Sequence, residues 1–552
     1  MKRKAVLLCL VILVIITGSL YSNATQIILK VNYPKMVLDN DEIDIGYYEK
    51  VVPVIVNNRT MVPIRSIVTV LGGVVNWDDN DEKISIEYND RKIEMRVNDN
   101  NITVDGEGRH SDVPPMIIGD RTMVPLRFVS ENFGLSVNWD GKNKKITINT
   151  NQQDFEKYKG QISFWHYNVE ESAGIVKAFN KVYPNIAVNL TVNTLKNMEY
   201  QNKLTAAIRA GSEVPDIFAS EGSFVKRFVD DNDFYMDISD RARELSGNMV
   251  PYTIDLGTNY QGEIKALSNQ VSVGSIIYKK SVAKKYLGTN DPIKIAEMFS
   301  TEENMLETGK KLKEKSKGKV ALFCSWEDVE KMYLGGRSVG WVVNGKFHID
   351  QKVQSFIDLA KKLVSNKYET GYSEGTSGYN AAIASDESFL ATVLPPSGIS
   401  QIIGKIDKKA YEGRRWGIAE PPFSFGCGGT WYGISNTSQE KELSWKMLKF
   451  ITIDTYAMKN WAVKNDDLPN NMDLLSNKIP YSKYVNTNLA EFYEPIMRDI
   501  NGKIYSKYDD MINQSFNKIL NSYLNGKIAS KAELIKLFKS EVENLNIIKA
   551  DN

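Results

Sequence analysis

Residues 160–221 read GQISFWHYNVEESAGIVKAFNKVYPNIAVNLTVNTLKNMEYQNKLTAAIRAGSEVPDIFASE. Gln161-Ile162-Ser163-Phe164-Trp165 is a short apolar run with strand propensity. Ile175, Val176, Phe179, Val182 and Tyr183 then recur at helical spacing up to Pro184, one apolar stripe that proline terminates. Ile186, Val188, Leu190 and Val192 alternate with other residues, the period of a strand. Tyr200, Leu204, Ala207 and Ile208 restore helical spacing, and Gly211 stands where a left-handed cap is needed. Pro215 to Ser220 closes the unit as a third strand. The order β-α-β-α-β predicts a parallel sheet opening an α/β domain.

Several pieces of this stretch recur in one known family. They are Ile162-Ser163-Phe164-Trp165, Phe179 ahead of Tyr183-Pro184-Asn185-Ile186, then Tyr200, Leu204, and Ala210-Gly211 ahead of Pro215-Asp216-Ile217. Farther on come Tyr260-Gln261-Gly262 with Ala266-Leu267, Ile276-Ile277-Tyr278-Lys279 and Trp416-Gly417-Ile418. Gly428-Gly429-Thr430-Trp431-Tyr432-Gly433-Ile434-Ser435 and Trp445 to Ile451 complete the series. In this order, residues 155–552 resemble the family 1 extracellular solute-binding proteins, the sugar-binding receptors of bacterial ABC importers. The resemblance implies a two-lobed periplasmic-binding-protein-like fold (type II) that closes by hinge motion on a carbohydrate, an oligosaccharide by expectation. It implies the importer's membrane subunits as partners, no enzymatic activity and no cofactor. Tyr278-Lys279-Lys280 replaces the family's Tyr-Asn-Lys, and Ala266-Leu267-Ser268 its Ala-Leu-Pro.

The whole chain has 552 residues, 42% hydrophobic and 25% charged, with net charge +1. That length exceeds one core and the balance is globular. Residues 1–24 read as an export signal: Lys2-Arg3-Lys4, an apolar core from Ala5 to Ile16, and Ser22-Asn23-Ala24 as the cleavage site. An uncleaved N-terminal anchor is the other reading, since Leu20 and Tyr21 lengthen the apolar run. Cys9 lacks the small-residue run of a lipobox, so the mode of surface attachment stays open. Removing the signal takes three of 69 basic residues and leaves 66 against 68 acidic ones, a near neutrality that gives nucleic acid no electrostatic purchase. Cys324 and Cys427 remain and are expected as small buried side chains rather than a disulfide framework.

Residues 25–152 hold an internal repeat. Arg59-Thr60-Met61-Val62-Pro63-Ile64-Arg65 returns as Arg121-Thr122-Met123-Val124-Pro125-Leu126-Arg127, offset by 62. Trp77-Asp78 maps onto Trp139-Asp140, and Ile84 and Ile86 onto Ile146 and Ile148. Each unit reads as a strand, a turn, a short helix and a hairpin, a small α+β domain with the tryptophans and isoleucines in its core. The repeat resembles the copper amine oxidase N-terminal-like (stalk) domain, which implies a spacer or adhesion module. Copper needs clustered histidines, and His110, His166 and His348 are far apart in sequence; no metal or cofactor is expected. The repeated arginines are expected to pair with Asp78 and Asp140, with anionic cell-wall polymer as their other candidate partner. Asn149 to Asp154 is polar and aperiodic and marks the boundary with the solute-binding domain, residues 153–552.

A sugar offers weakly apolar faces and a rim of hydroxyls, so its receptor needs aromatic platforms, amides and carboxylates on loops at strand ends. Trp165 ends the first strand and Glu221 follows the third; Gln270 precedes the strand at 274–278. Trp326 and Glu327 follow an apolar run, Phe389 lies where the family often has an aromatic, and Trp431 follows a glycine pair. These seven are the candidate ligand-binding residues, each with core packing as its rival role. No Ser-His-Asp set, metal cluster or phosphate loop supports an enzyme. Ser530 and Glu533 read as a capping box for a terminal helix with Leu534, Leu537, Phe538 and Val542 on one face, packed on the second lobe. The rival function is a cell-surface or wall-interaction protein with a receptor-like fold and no transporter.

Overall fold

The computed structural model describes residues 26–545 except 39–40, 46–50, 72, 89–90, 120, 150–157, 194–197, 244, 413 and 477–480. Residues 1–24, expected above to be an export signal, and most of the polar linker lie outside these residues.

The N-terminal region is built twice from one unit. Strands β4 (Val54–Val56) and β5 (Arg59–Pro63) lead into helix α1 (Ile64–Val70), then hairpin β6 (Val74–Asp78) and β7 (Lys83–Tyr88). The second copy runs β11 (Met116–Ile118), β12 (Arg121–Pro125), α2 (Leu126–Asn132), β13 (Ser136–Asp140) and β14 (Lys145–Asn149). Each proline ends its strand just ahead of the helix, where a missing N–H costs no intrahelical bond. The copies meet where β5 pairs antiparallel with β12, Val62 opposite Val124. The first hairpin is extended by β8 (Arg91–Arg96), β9 (Asn101–Val104) and β10 (Glu107–His110). The second is extended by β1 (Gln26–Lys30), β2 (Lys35–Leu38) and β3 (Asp41–Asp44). Alternation buries Ile84, Ile86, Ile146 and Ile148 in a shared core with Val62 and Val124.

Two sequence expectations fail here. Trp77 is only half-buried and Trp139 is 39% exposed, because each stands near the turn of its hairpin on the edge strand of its sheet. The arginines do not pair with Asp78 and Asp140. Those carboxylates accept from backbone N–H groups in their own turns, Asn80 and Lys142 respectively, while Arg59 pairs with Asp112 and Arg127 with Glu131. Arg65 reaches across to Asp473 of the large domain at 2.8 Å. Val74 packs on the core of that domain's first lobe.

The large domain opens as expected: β15 (Gly160–His166), α3 (Val169–Val182), β16 (Ile186–Val192), α4 (Glu199–Ala210), β17 (Ile217–Glu221). The Asn168 side chain caps α3 at Glu171 N, and Gly211 ends α4 at φ 64°, a left-handed turn that costs glycine nothing. The short β18 (Leu267–Ser268) leads to β19 (Ser275–Lys279) and β20 (Ala321–Phe323). After a small hairpin, β21 (Val342–Val343) and β22 (Lys346–Phe347), come β23 (Phe389–Leu394), β24 (Trp416–Ala419) and β25 (Thr430–Ile434). The first lobe's sheet has the order β16-β15-β17-β25-β18 and the second's β20-β23-β19-β24. β15, β16 and β17 are parallel, but β25 returns antiparallel against β17, so the sheet is mixed. This is the two-lobed type II architecture.

The terminal helix Lys531–Asn544 buries Leu534, Phe538 and Val542 in the second lobe's core, Phe538 edge-on to Trp341. Leu537 falls off that stripe and is exposed. Ser530 caps Glu533 N, while the Glu533 carboxylate reaches back one residue further, to Ala529 N. Cys324 and Cys427 are buried free thiols. Among the described residues no helix is long and apolar enough to cross a membrane, and no three His, Cys, Asp or Glu side chains cluster to hold a metal.

Candidate functional site

Two segments crossing between the lobes define the site. Residues 269–274 join β18 to β19, and 420–429 join β24 to β25. They pair with each other: Gly274 N donates to Phe425 O, Cys427 N to Ser272 O, and Val273 bridges Gly426. Tyr252 fixes the pair from the first lobe, its hydroxyl accepting from Ser272 N at 2.9 Å.

Both lobes approach this crossing: Gly222 N, next to Glu221, donates to Gly429 O at 2.9 Å, and Gly335 and Gly336 of the second lobe pack against Phe425 and Phe423. Burial pushes the Cys427 thiol up to about 12, opposed by Lys331 and helped by Glu374, Glu221 and Asp328. Glu221 ends β17 in the first lobe, while the other three belong to the second. Burial also raises the Glu221 carboxyl, although Ser223 N and Oγ donate to it. In the second lobe Ser325 caps the helix Trp326–Gly335, which places Trp326 and Glu327 in its first turn. Glu327 accepts from Ser373 Oγ at 2.8 Å. Lys331, one turn on, pairs with Glu374 at 2.7 Å. Burial works against the Lys331 charge, but Asp328 and Glu374 together hold its pKa above the ordinary lysine value. Asp328 is pushed up to about 6 by burial, and Glu330 to about 8 by burial and the Glu327 charge.

Behind Glu221 lies a closed polar network in the first lobe. His166 Nδ1 accepts from Asn168 N, so Nε2 carries the proton and donates to the Tyr432 hydroxyl at 3.2 Å. Tyr432 in turn donates to Glu171. Burial pushes His166 down to about 3 and Glu171 up to about 7, so the imidazole is neutral. Gln270 fits the same network. Its oxygen accepts from Thr430 N at 2.8 Å and its nitrogen donates to Asp467 Oδ2 at 2.8 Å.

The seven sequence candidates therefore divide. Glu221 and Glu327 belong to opposite lobes, each partly exposed, and Trp326 is partly exposed next to Glu327 while leaning on Phe356. Gln270 is second in the crossing segment but is 6% exposed and spends its amide on Thr430 and Asp467. Trp165 is 5% exposed, with its carbonyl accepting from Tyr200. Trp431 is 0% exposed and donates from Nε1 to Thr253 O at 2.9 Å. Its ring packs where Gly222, Gly257 and Gly429 leave no side chain, so the glycine pair admits the indole into the core rather than a ligand onto it. Phe389 is not brought to the crossing at all. The register sets Ser275 against Leu394 and Tyr278 against Ala391, placing Phe389 at the far end of the sheet. There its ring lies 3.9 Å under the buried Lys279 ammonium. Sequence reading missed Lys331 and Glu374. The acidic run at 327–330, one turn before Lys331, was the available signal for the first; Glu374 has none.

A model of the bacterial extracellular solute-binding proteins matches residues 163–458, more than half of the chain. The chain belongs to that family. A copper amine oxidase N-terminal domain model matches residues 37–148 of this solute-binding protein. Among solved structures, the GacH receptor of Streptomyces glaucescens, described unliganded and with acarbose, is 16% identical with TM-score 0.59. That match covers 71% of this chain and 100% of the receptor. The galacto-N-biose/lacto-N-biose I-binding protein of the Bifidobacterium longum ABC transporter is 15% identical, TM-score 0.58, over 70% of this chain and 97% of its own. The sugar-binding protein MalE of Xanthomonas citri is 15% identical, TM-score 0.57, over 70% and 98%. At these identities the likeness is one of fold. Membership places the solute-binding protein among binding proteins rather than enzymes.

Proposed function

We propose that this solute-binding protein captures a carbohydrate between its lobes, closes on it by bending the two crossing segments, and presents it to an ABC importer. The observation carrying the reading is that both lobes bring polar, partly exposed groups towards the crossing segments: Glu221 precedes Gly222, whose N–H donates to Gly429 O at 2.9 Å, and the helix bearing Trp326, Glu327 and Lys331 ends at Gly335 and Gly336 against Phe425 and Phe423. Carboxylates partly withdrawn from water accept strongly from hydroxyl groups, and a ligand spanning both sets would favour the closed form. The sugars named for the structures of like fold support the ligand class. Trp326 is the aromatic we assign to a sugar face; Trp165, Gln270, Phe389 and Trp431 support the lobes. The reading takes residues 1–24 as an export signal, 25–152 as the stalk and 153–552 as the receptor, and places the protein outside the cytoplasm. A carbohydrate array followed by thermal-shift titration tests it. At least one oligosaccharide should raise the melting temperature. If none does, a surface protein uncoupled from transport replaces the receptor.

A further inference from the structure

The N-terminal domain carries a lysine-lined groove that the solute-binding reading does not use. Lys30, Tyr33, Lys35, Lys142, Lys144 and Lys145 wall a cavity of about 550 Å³ between the turn after β1 and the β13–β14 hairpin. Alternation turns Ile27, Leu29, Ile146 and Ile148 inward, so Lys30 and Lys145 stand on the outer face. The register sets them directly opposite each other. Like charges in that position destabilise a sheet.

The other repeat shows how this fold normally answers such a pair. There the equivalent position sets Lys83 opposite Arg96. Glu94 answers Lys83 at 2.8 Å and Asp81 answers Arg96 at 3.1 Å. In the second repeat the hairpin residues corresponding to Asn80-Asp81-Glu82 are Lys142-Asn143-Lys144, so a turn with two acids and no base becomes one with two lysines and no acid. The turn itself does not require this. Asp78 and Asp140 accept from the same two backbone N–H groups, and Glu82 and Lys144 share φ near 50°. Glu42 answers Lys35 at 3.2 Å. Asp140 is occupied by Asn143 and the turn amides, with Lys145 only a lesser influence. Among the described residues Lys30, Lys142 and Lys144 form no ion pair.

We propose that this groove binds a linear, phosphate-bearing polyanion. The lysines line the walls of a concavity, which suits a chain laid along it better than a planar membrane, and lysine serves phosphate as a point charge. The proposal is independent of what the interlobe site binds.

Binding of a short-chain polyphosphate to the full chain at low salt tests it, alongside phosphatidylglycerol vesicles and a neutral-lipid control. The wild type should bind polyphosphate with an affinity that falls as salt rises. The combined variant Lys30→Gln, Lys142→Gln, Lys144→Gln, Lys145→Gln should lose at least about tenfold in affinity, each lost charge releasing fewer counterions. Its unliganded melting temperature should stay level or rise, because the repulsion is gone, whereas lysines kept for structure would lower it. The milder Lys145→Gln variant should show a partial loss with the same sign. Lys310→Gln with Lys315→Gln, in the large domain, should bind as the wild type does. Absence of wild-type binding, equal binding by the quadruple variant, or an equal loss in the distant control would each overturn the proposal. Lysine-dependent binding to vesicles in preference to polyphosphate would replace the polyanion with a membrane.

Discussion

Trp431→Ala separates core from platform more sharply than any other substitution in the large domain. The side chain is fully buried in the first lobe, with Gly222, Gly257 and Gly429 closing around the ring. Truncation removes the indole and leaves a cavity that backbone cannot easily collapse to fill, at about 3–5 kcal/mol for a buried tryptophan. The Thr253 carbonyl also loses its donor at 2.9 Å, adding about 1 kcal/mol. The expected loss is therefore near the upper end, about 4–5 kcal/mol. Urea unfolding followed by far-UV circular dichroism, which does not depend on the deleted fluorophore, measures it on the large domain's transition. A loss within about 1 kcal/mol, the range of a surface change, would refute the burial argument. It would return Trp431 to the ligand as a stacking platform exposed in solution.

Trp139→Ala should cost no more than about 1 kcal/mol and Trp77→Ala more, since Trp139 is exposed and Trp77 half-buried; equal losses in chemical denaturation would contradict that asymmetry. Glu330→Gln should gain stability on the wild type as pH rises from about 4.5 to about 8. Its carboxyl is raised to about 8 when folded, so the stability linked to its proton is full below the unfolded value and lost through the folded one. Parallel melting curves at pH 5 and 8 read this out, and a constant difference would contradict it. A fragment of residues 25–152 should melt cooperatively alone, because its core is closed within the two repeats and Arg65–Asp473 is a half-exposed pair worth under about 1 kcal/mol. An unfolded fragment would show that the first lobe is needed.

The fold was legible wherever periodicity and local chemistry agree. Residues 160–221 read correctly because Pro184 and Gly211 punctuate clean apolar stripes. The 62-residue repeat likewise fixed both hairpin units. What was not legible depends on contacts distant in sequence. Nothing local distinguishes Trp139 from a core residue; its exposure follows from its place near the turn of an edge hairpin. Arg65 finds Asp473, over 400 residues away. The paired glycines before Trp431 signalled close approach correctly, but what approaches is the protein's own indole. Phe389 looked like a cleft aromatic until the β19–β23 register put it at the opposite end of the sheet. Lys331 finds its partner Glu374 43 residues farther along the chain.

The central claim is that one ligand is held by both lobes at the crossing segments. Calorimetric titration of a saccharide that shifts the wild-type melt, into Glu221→Gln and Glu327→Gln separately and together, tests it most directly. Each single variant, one per lobe, should weaken binding about tenfold or more, the value of a charged hydrogen bond at about 1.5–3 kcal/mol. The double variant should weaken it further while the unliganded protein melts no lower. Wild-type affinity in both single variants would contradict the account.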